Sequence, residues 1–401
     1  MGEASSDPFV LKSAPLSGVK VIELSTMITA PLAGMLLADM GANVVKVENP
    51  DGGDPFRSFR EGAYSPHFGA YNRNKRSITL DLRSEQGSST FDALVADSDV
   101  LLANFRPGVL DRLGYPDDKL AEMNRRLIRC YISGFGPDGP YADRPAYDAV
   151  AQALSGMSSL FLDPAQPQLV GPTIGDNATG HYACQGILAA LYVQQRTGLG
   201  RRIDVNMLES TIAFMPDPFA YLTQLGLLSD PLLRPRTSQS YAFRCKDGKI
   251  LVIHLSSQPK FWDMFVDLLG LPSLRDDPDL ASRGERIKHY EKIRDLAAPV
   301  FAARTQREWL KALSGIDLPY APVYDIAEVF DDPQVQHLGT FMTLEHPIAG
   351  STTAIRHPVW FDLDRSHQPN DPPPILGEHT SDILEEIREL RSGSTETAAG
   401  G

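Results

Sequence analysis

One acid in the sequence sits where chemistry is possible. Asp176 lies in the segment Gly171-Pro172-Thr173-Ile174-Gly175-Asp176-Asn177-Ala178-Thr179-Gly180, with glycines on both sides. Glycines allow a backbone to come close to a ligand, and a carboxylate in such a place can serve as nucleophile or base. The acid also stands ahead of a stretch from Thr179 to Gln195 rich in Ala, Leu and Gln, where Asp is an ordinary helix cap. Taken locally, both readings stand.

A second candidate is the loop Asn104-Phe105-Arg106-Pro107-Gly108, which follows an apolar strand ending at Ala103. In an open α/β sheet, ligands bind beyond the carboxyl ends of the strands. Arg106 and Arg112 flank this loop and could hold a phosphate. Arg73, Lys75, Arg76 and Arg83 lie nearby in sequence, a cluster that equally suits a solvated surface. Gly134-Phe135-Gly136-Pro137-Asp138-Gly139 matches GxGxxG, but Pro137, Pro140 and Pro145 forbid the helix that a dinucleotide fingerprint needs. A turn-rich loop is expected there instead. The sequence contains neither a Walker A motif nor GxSxG. Cys130, Cys184 and Cys245 are far apart, with no CxxC, which points to buried thiols rather than disulfides or a zinc cluster.

These residues need a frame. Val19 to Leu24 and Asn43 to Val47 read as strands around a helix from Leu32 to Met40, opened by Pro31 and closed by Gly41. The rhythm continues with strands at 77–81, 99–103 and 127–132, a helix at 84–96 and a short one near 109–112. It predicts a doubly wound parallel sheet. Helices are expected at 147–157, 179–195 and 207–227, with a strand at Arg202 to Val205. A linker rich in Pro, Ser and Arg follows, from Leu228 to Ser240. After it, a Lys246-Asp247-Gly248-Lys249 turn predicts a hairpin. Helices are expected at 259–269, 286–303 and 305–313. A last helix is expected at 381–390, and the Ser/Thr/Ala/Gly-rich tail from Ser392 reads as disordered.

At 401 residues, two domains or three are expected. The net charge of −13 argues against a general nucleic-acid binder, while an anionic ligand needs only a local basic patch. The longest apolar run, Met27 to Ala38, is too short to span a bilayer. Met1 to Ser6 is polar, with no export signal, though Gly2 and Ser6 fit the loose N-myristoylation pattern. A cytoplasmic location without a membrane partner is expected.

Together the segments resemble the class III CoA-transferases, the family of formyl-CoA transferase and carnitine CoA-transferase, related to the alpha-methylacyl-CoA racemases. The marks are Gly18-Val19-Lys20-Val21-Ile22-Glu23-Leu24, Gly41-Ala42-Asn43-Val44-Val45-Lys46-Val47-Glu48, Asn74-Lys75-Arg76-Ser77-Ile78 and Asn104-Phe105-Arg106-Pro107-Gly108. They continue with Gly175-Asp176, Gly186-Ile187-Leu188-Ala189-Ala190-Leu191, Thr197-Gly198-Leu199-Gly200 and Leu376-Gly377-Glu378-His379-Thr380. The resemblance covers Leu16 to Leu390. The resemblance agrees with the α/β fold read from rhythm and composition: a large doubly wound Rossmann-like domain at 1–227, a smaller α+β domain at 228–323, and a return to the large domain at 324–401. It also implies an interlocked ring-like homodimer.

The resemblance makes Asp176 the nucleophile. It implies CoA contacts at Met27, Ile28, Thr29, Leu80, Arg83, Asn104, Phe105, Arg112 and Met207. CoA and acyl-CoA are then substrates, and no permanently bound cofactor is implied. Tyr147, Asp148, Arg234 and Tyr241 are candidate substrate contacts, with Arg236, Ser238 and Gln239 beside them; an Arg there would suit a dicarboxylate. The chain departs from the formyl-CoA transferase pattern at Ile28 and Asn49, and it lacks a four-glycine run before Tyr241. These departures argue against oxalate or formate. Where the racemases carry a His, this chain has Tyr147, a poor base at neutral pH.

An aspartate suits CoA transfer. It gives a mixed anhydride that CoA thiolate can reopen, where serine would give an ester too stable to return. It is also expected to be ionised at pH 7 without an activating base. The course implied runs through acyl-aspartyl anhydride, aspartyl-CoA thioester and a second anhydride. Backbone N–H groups of the glycine-flanked loops would steady the oxyanions. The alternatives are an acyl-CoA racemase or isomerase of the same fold and a non-catalytic CoA-binding protein.

Overall fold

The computed structural model describes residues 14–59 and 64–398. The N-terminal pattern with Gly2 and Ser6 lies outside the described residues. The chain packs as two compact units. The larger runs up to Ser158, takes up again at Gly171–Met215, and returns from Gly339; the smaller holds Ser159–Val170 and Pro216–Leu338.

In the larger unit, short apolar segments become strands because both faces of the sheet are covered. The order is β1 (Lys20–Leu24), α1 (Thr29–Asp39), β2 (Asn43–Glu48), α2 (Pro66–Asn72), β3 (Lys75–Thr79), α3 (Glu85–Asp97) and β4 (Val100–Ala103). Then come α4 (Val109–Arg112), α5 (Asp117–Met123), β5 (Ile128–Ser133), α6 (Asp148–Leu154), α7 (Ile174–Thr197), β6 (Arg202–Asn206) and α8 (Met207–Phe214). The six strands pair in parallel in the order β3-β2-β1-β4-β5-β6. Val21, Val44, Val100, Leu102 and Ile128 face α1 and α7. Ile22, Val45, Ile78 and Leu101 face α3 and α5 on the other side. The strand order reverses between β1 and β4, so a crevice opens at their carboxyl ends.

The smaller unit begins with α9 (Pro216–Leu225) and α10 (Leu233–Ser238), followed by β7 (Ser240–Arg244), β8 (Ile250–His254) and α11 (Pro259–Leu269). It continues through α12 (Arg283–Lys288), α13 (Tyr290–Ala302), α14 (Gln306–Leu313), β9 (Tyr320–Pro322) and α15 (Pro333–Leu338). The three strands form an antiparallel sheet, β7-β8-β9. Its core is aromatic, built from Tyr241, Phe243, Trp262, Phe265, Phe301 and Trp309. Back in the larger unit, β10 (Phe341–His346) and β11 (Gly350–Ile355) make a hairpin, and α16 (Thr380–Ala398) packs Ile383 and Ile387 on the α3 face. The Leu376–Thr380 motif seats against the outer strand: the Gly377 N–H donates to Ser77 Oγ, and Thr380 Oγ1 accepts from the Thr79 N–H.

Several expectations shift. The helix expected from Thr179 begins at Ile174, so Asp176 lies inside its first turn rather than ahead of it. Gly175, a poor helix former, masked that start. The helix expected over 207–227 divides at Met215, because Pro216 lacks the N–H that would continue it. The linker contains α10. The third strand lies at Lys75–Thr79 rather than 77–81, because Lys75 is buried by pairing with Glu23. The final helix continues through Ser392 to Ala398, where a disordered tail was expected; 399–401 lie outside the described residues. The smaller unit, at 216–338 plus 159–170, is wider than the segment 228–323 read from composition.

The crossing of α1 and α7 aims the first turn of α7. A Cβ on Gly180 would stand 2.8 Å from the Thr29 carbonyl oxygen and 2.9 Å from Leu32 Cδ2. Gly180→Ala should therefore destabilise the protein by about 1–3 kcal/mol despite alanine's better helix propensity. Chemical denaturation checks this; an unchanged or raised midpoint would contradict the close crossing.

Candidate active site

Asp176 occupies the third position of α7, after its cap residue Thr173. A Cβ on Gly175 would meet Thr211 Oγ1 at 3.0 Å and Asp148 Oδ1 at 3.3 Å, so the α7 start is pressed against α8 and α6. The Asp176 N–H donates to Asp148 Oδ1 at 3.1 Å, and Gln152 Nε2 donates to Asp148 Oδ2 at 2.6 Å. The Asp176 N–H is thereby taken and cannot serve an oxyanion, contrary to the expectation for this glycine-flanked loop.

Asp176 is buried, 9% exposed as a residue. Burial, and then the Asp148 charge beside it, push it up to about 7. The expectation of a carboxylate fully ionised at neutral pH is corrected accordingly. At pH 7 the group is poised between its two forms, and its buried charge is relieved when the carboxylate is neutralised.

Asp176 lines a cavity of about 280 Å³ together with Met27, Ile28, Thr29, Asn104, Phe105, Tyr147 and Met207. Seven of the residues expected from sequence therefore meet around the eighth, Asp176. Asn104 fixes the turn between β1 and α1: its Oδ1 accepts from the Thr26 N–H at 3.0 Å, and its Nδ2 donates to the Thr26 carbonyl at 2.8 Å and to Thr29 Oγ1 at 3.1 Å. Leu80 and Arg83 line a neighbouring cavity of about 350 Å³, and Thr26 and Phe105 border both.

Other expected residues lie elsewhere. Arg112 is exposed on α4 and lines neither cavity. Asp148 acts behind Asp176 rather than on the cavity wall. In the smaller unit, Arg234 lies 3.6 Å from Asp217, and Arg236 pairs with Asp230 at 2.5 Å. Ser238 and Gln239 are buried. Tyr241 is 1% exposed and stacks on Tyr290 at 4.6 Å. It is a core residue, so the substrate role expected of it is withdrawn.

Ser133 and Arg144, not singled out from the sequence, line the Asp176 cavity with Gly134 and Arg106. Arg144 lies over Tyr141 at 4.4 Å and Phe135 at 5.7 Å, an aromatic seat that holds its guanidinium. The signal available was the proline-broken glycine loop, which lines the cavity at its start, with Ser133 and Gly134, and past its last glycine, with Arg144.

The chain matches the sequence model of CoA-transferase family III over residues 16–380. It is 32% identical to the succinate–glutarate CoA-transferase of Agrobacterium fabrum (strain C58), over 96% of this chain and 98% of that one. It is 31% identical to the formyl-CoA:oxalate CoA-transferase of Rhodopseudomonas palustris (strain HaA2), over 93% of each. Among solved structures, a CAIB/BAIF family protein from Brucella suis superposes with a TM-score of 0.81 at 30% identity, covering 94% of this chain and all of that one.

The pH dependence follows from the geometry. If the ionised carboxylate attacks, kcat/KM should rise with pH through about 7, and Asp148→Asn should move that midpoint down while burial keeps it above the ordinary aspartate value. Stability runs the other way. The folded group binds its proton more tightly than the unfolded one, so stability held below pH ~4 is lost as pH rises through about 7, by at most about 4 kcal/mol. Asp176→Asn should thus raise the melting temperature at pH 8 and change it little at pH 4. Equal shifts at both pH values would contradict the buried charge.

Proposed function

Since the chain belongs to CoA-transferase family III, we infer that it is an enzyme transferring CoA from an acyl-CoA donor to a carboxylic acid acceptor, with Asp176 as its covalent nucleophile. The observation that carries the role of Asp176 is its buried carboxyl, held beside Asp148 at the head of a cavity walled by the first βα turn and the loop after β4.

The thioester carbonyl of the donor enters the Asp176 cavity. One carboxylate oxygen of Asp176 bonds to the acyl carbon, the thioester C–S bond breaks, and CoA leaves as thiolate. The thiolate attacks the aspartyl carbonyl of the anhydride, giving aspartyl-CoA thioester and the donor acid. The acceptor carboxylate attacks that thioester, forming a second anhydride and releasing the thiolate, which then takes the acceptor's acyl group and frees Asp176. Each acylation of Asp176 removes a charge that burial and Asp148 disfavour, so the protein raises the free carboxylate relative to the covalent states.

The two cavities suit the two ends of CoA, with the thioester at Asp176 and the phosphate-bearing end toward Arg83. We place the acceptor among short dicarboxylic acids. Arg106 and Arg144 beside Asp176 could hold a second carboxylate, and two relatives carry dicarboxylate names. Ile28 and Asn49 set the chain apart from the pattern read for oxalate. A homodimer is part of this reading. Tyr192 and Leu199 of the larger unit, and Leu225 and Leu228 of the smaller, are large apolar side chains left exposed in the single chain.

Tyr147, 66% exposed on the cavity wall, stands where the resemblance puts the His of the racemases, which favours transfer over racemisation. Acyl-CoA donors assayed against mono- and dicarboxylic acids, read by the CoA products, test the proposal. Asp176→Ala should lower the turnover number at least about a thousandfold. Retention of wild-type turnover by that variant would refute Asp176 as nucleophile.

A further inference from the structure

Beneath the β1–α1 turn lies a buried ionic cluster that the transfer chemistry does not use. The Lys46, Glu23, Lys75 and Asp54 side chains have no solvent exposure. Lys46 Nζ contacts Glu23 Oε1 at 2.9 Å, Asp54 Oδ2 at 3.0 Å, the Ser25 carbonyl at 3.0 Å and Ser25 Oγ at 3.2 Å. Buried charges on this scale cost free energy unless closely paired, and apolar packing would stabilise a sheet as well. What this arrangement does differently is reach the turn.

Asp54 is the link. Its Oδ2 faces Lys46, while its Oδ1 accepts from the Phe56 N–H at 2.9 Å and from the Met27 N–H at 3.2 Å. Met27 has φ of +69°, a left-handed conformation uncommon for a side chain of this kind. Such a residue persists only when its surroundings hold it there. Met27 lines the Asp176 cavity, Asp54 lines the neighbouring one, and Thr26 between β1 and Met27 borders both. The strained residue therefore directly follows Thr26, part of the wall the two cavities share.

We propose that Asp54, anchored on Lys46, is a positioning residue that holds Met27 in its left-handed conformation and so sets the β1–α1 turn for acyl-CoA. This rests on the reading of the two cavities as the acyl-CoA site. Asp54 touches no reacting atom in this account. Its effect passes through the Met27 N–H. Without Asp54, Met27 relaxes toward negative φ, the turn loses its shape, and acyl-CoA binds less tightly. The acceptor acid, which engages Asp176 and the loops after β4 and β5, is little affected.

The test is a double-mutant cycle on the full-length enzyme, with KM measured separately for acyl-CoA and acceptor acid. In Asp54→Ala, Lys46 keeps Glu23 and both Ser25 oxygens, so the cluster still has partners. Asp54→Ala should raise the KM for acyl-CoA about tenfold, in keeping with release of one strained backbone residue, and leave the acceptor KM within about twofold. Glycine adopts positive φ without penalty. In a Met27→Gly background, the same Asp54→Ala change should therefore raise the acyl-CoA KM less than about threefold. An equal rise in both backgrounds, an unchanged acyl-CoA KM, or a parallel rise in both KM values would overturn the proposal. So would loss of a cooperative melt in Asp54→Ala, which would assign the residue to the stability of the whole fold. Wild-type enzyme that turned over no acyl-CoA would instead refute the reading of the site, independently of Asp54.

Discussion

A carboxylate buried beside another carboxylate is the constraint around which the larger unit is arranged. Burial and Asp148 both disfavour ionised Asp176, and the protein accepts that cost at one end of its longest helix. Helix α7 cannot slide to relieve it. Gly180 lies against the start of α1 and Gly175 against α6 and α8, each at distances that admit no side chain without movement. Gln152 holds Asp148 in turn. The strain is local, and the rest of the helix supplies buried apolar contacts that offset it, through Ala183, Ile187, Ala190 and Leu191.

The sheet supplies the other wall. Its strand order reverses between β1 and β4, so the turn after β1 and the loop after β4 face each other, and Asn104 ties them with three hydrogen bonds. On the far side of that turn, the Lys46–Asp54 pair braces Met27. Asp176 and the turn opposite it are thus both held in place by residues distant in sequence. Preorganisation of this kind orients reactants before they react.

Much of this was legible in the sequence, and the parts that were not have physical causes. The parallel sheet could be read because Val, Ile and Leu runs mark strands buried on both faces. Asp176 could be singled out by its glycines, but its environment could not, because Asp148 stands 28 residues earlier and meets it only when α6 packs on α7. Lys75 hid two residues of β3, since a charge reads as surface until its partner Glu23 is seen. The alternation of Tyr241 and Phe243 along β7 marks a core face; proximity to the linker drew Tyr241 toward a substrate role that its burial excludes. Pro216 was visible, yet the apolar stretch around it concealed the division between α8 and α9.

Transfer through a covalent intermediate requires that Asp176 become acylated. Intact-protein mass spectrometry after incubation with a turning-over acyl-CoA, quenched in acid and followed by peptide mapping, tests it most directly. An added mass matching the acyl group or CoA is expected on the peptide containing Asp176, and none in Asp176→Ala. An enzyme that turns over under these conditions, yet carries its adduct on another residue, would contradict it.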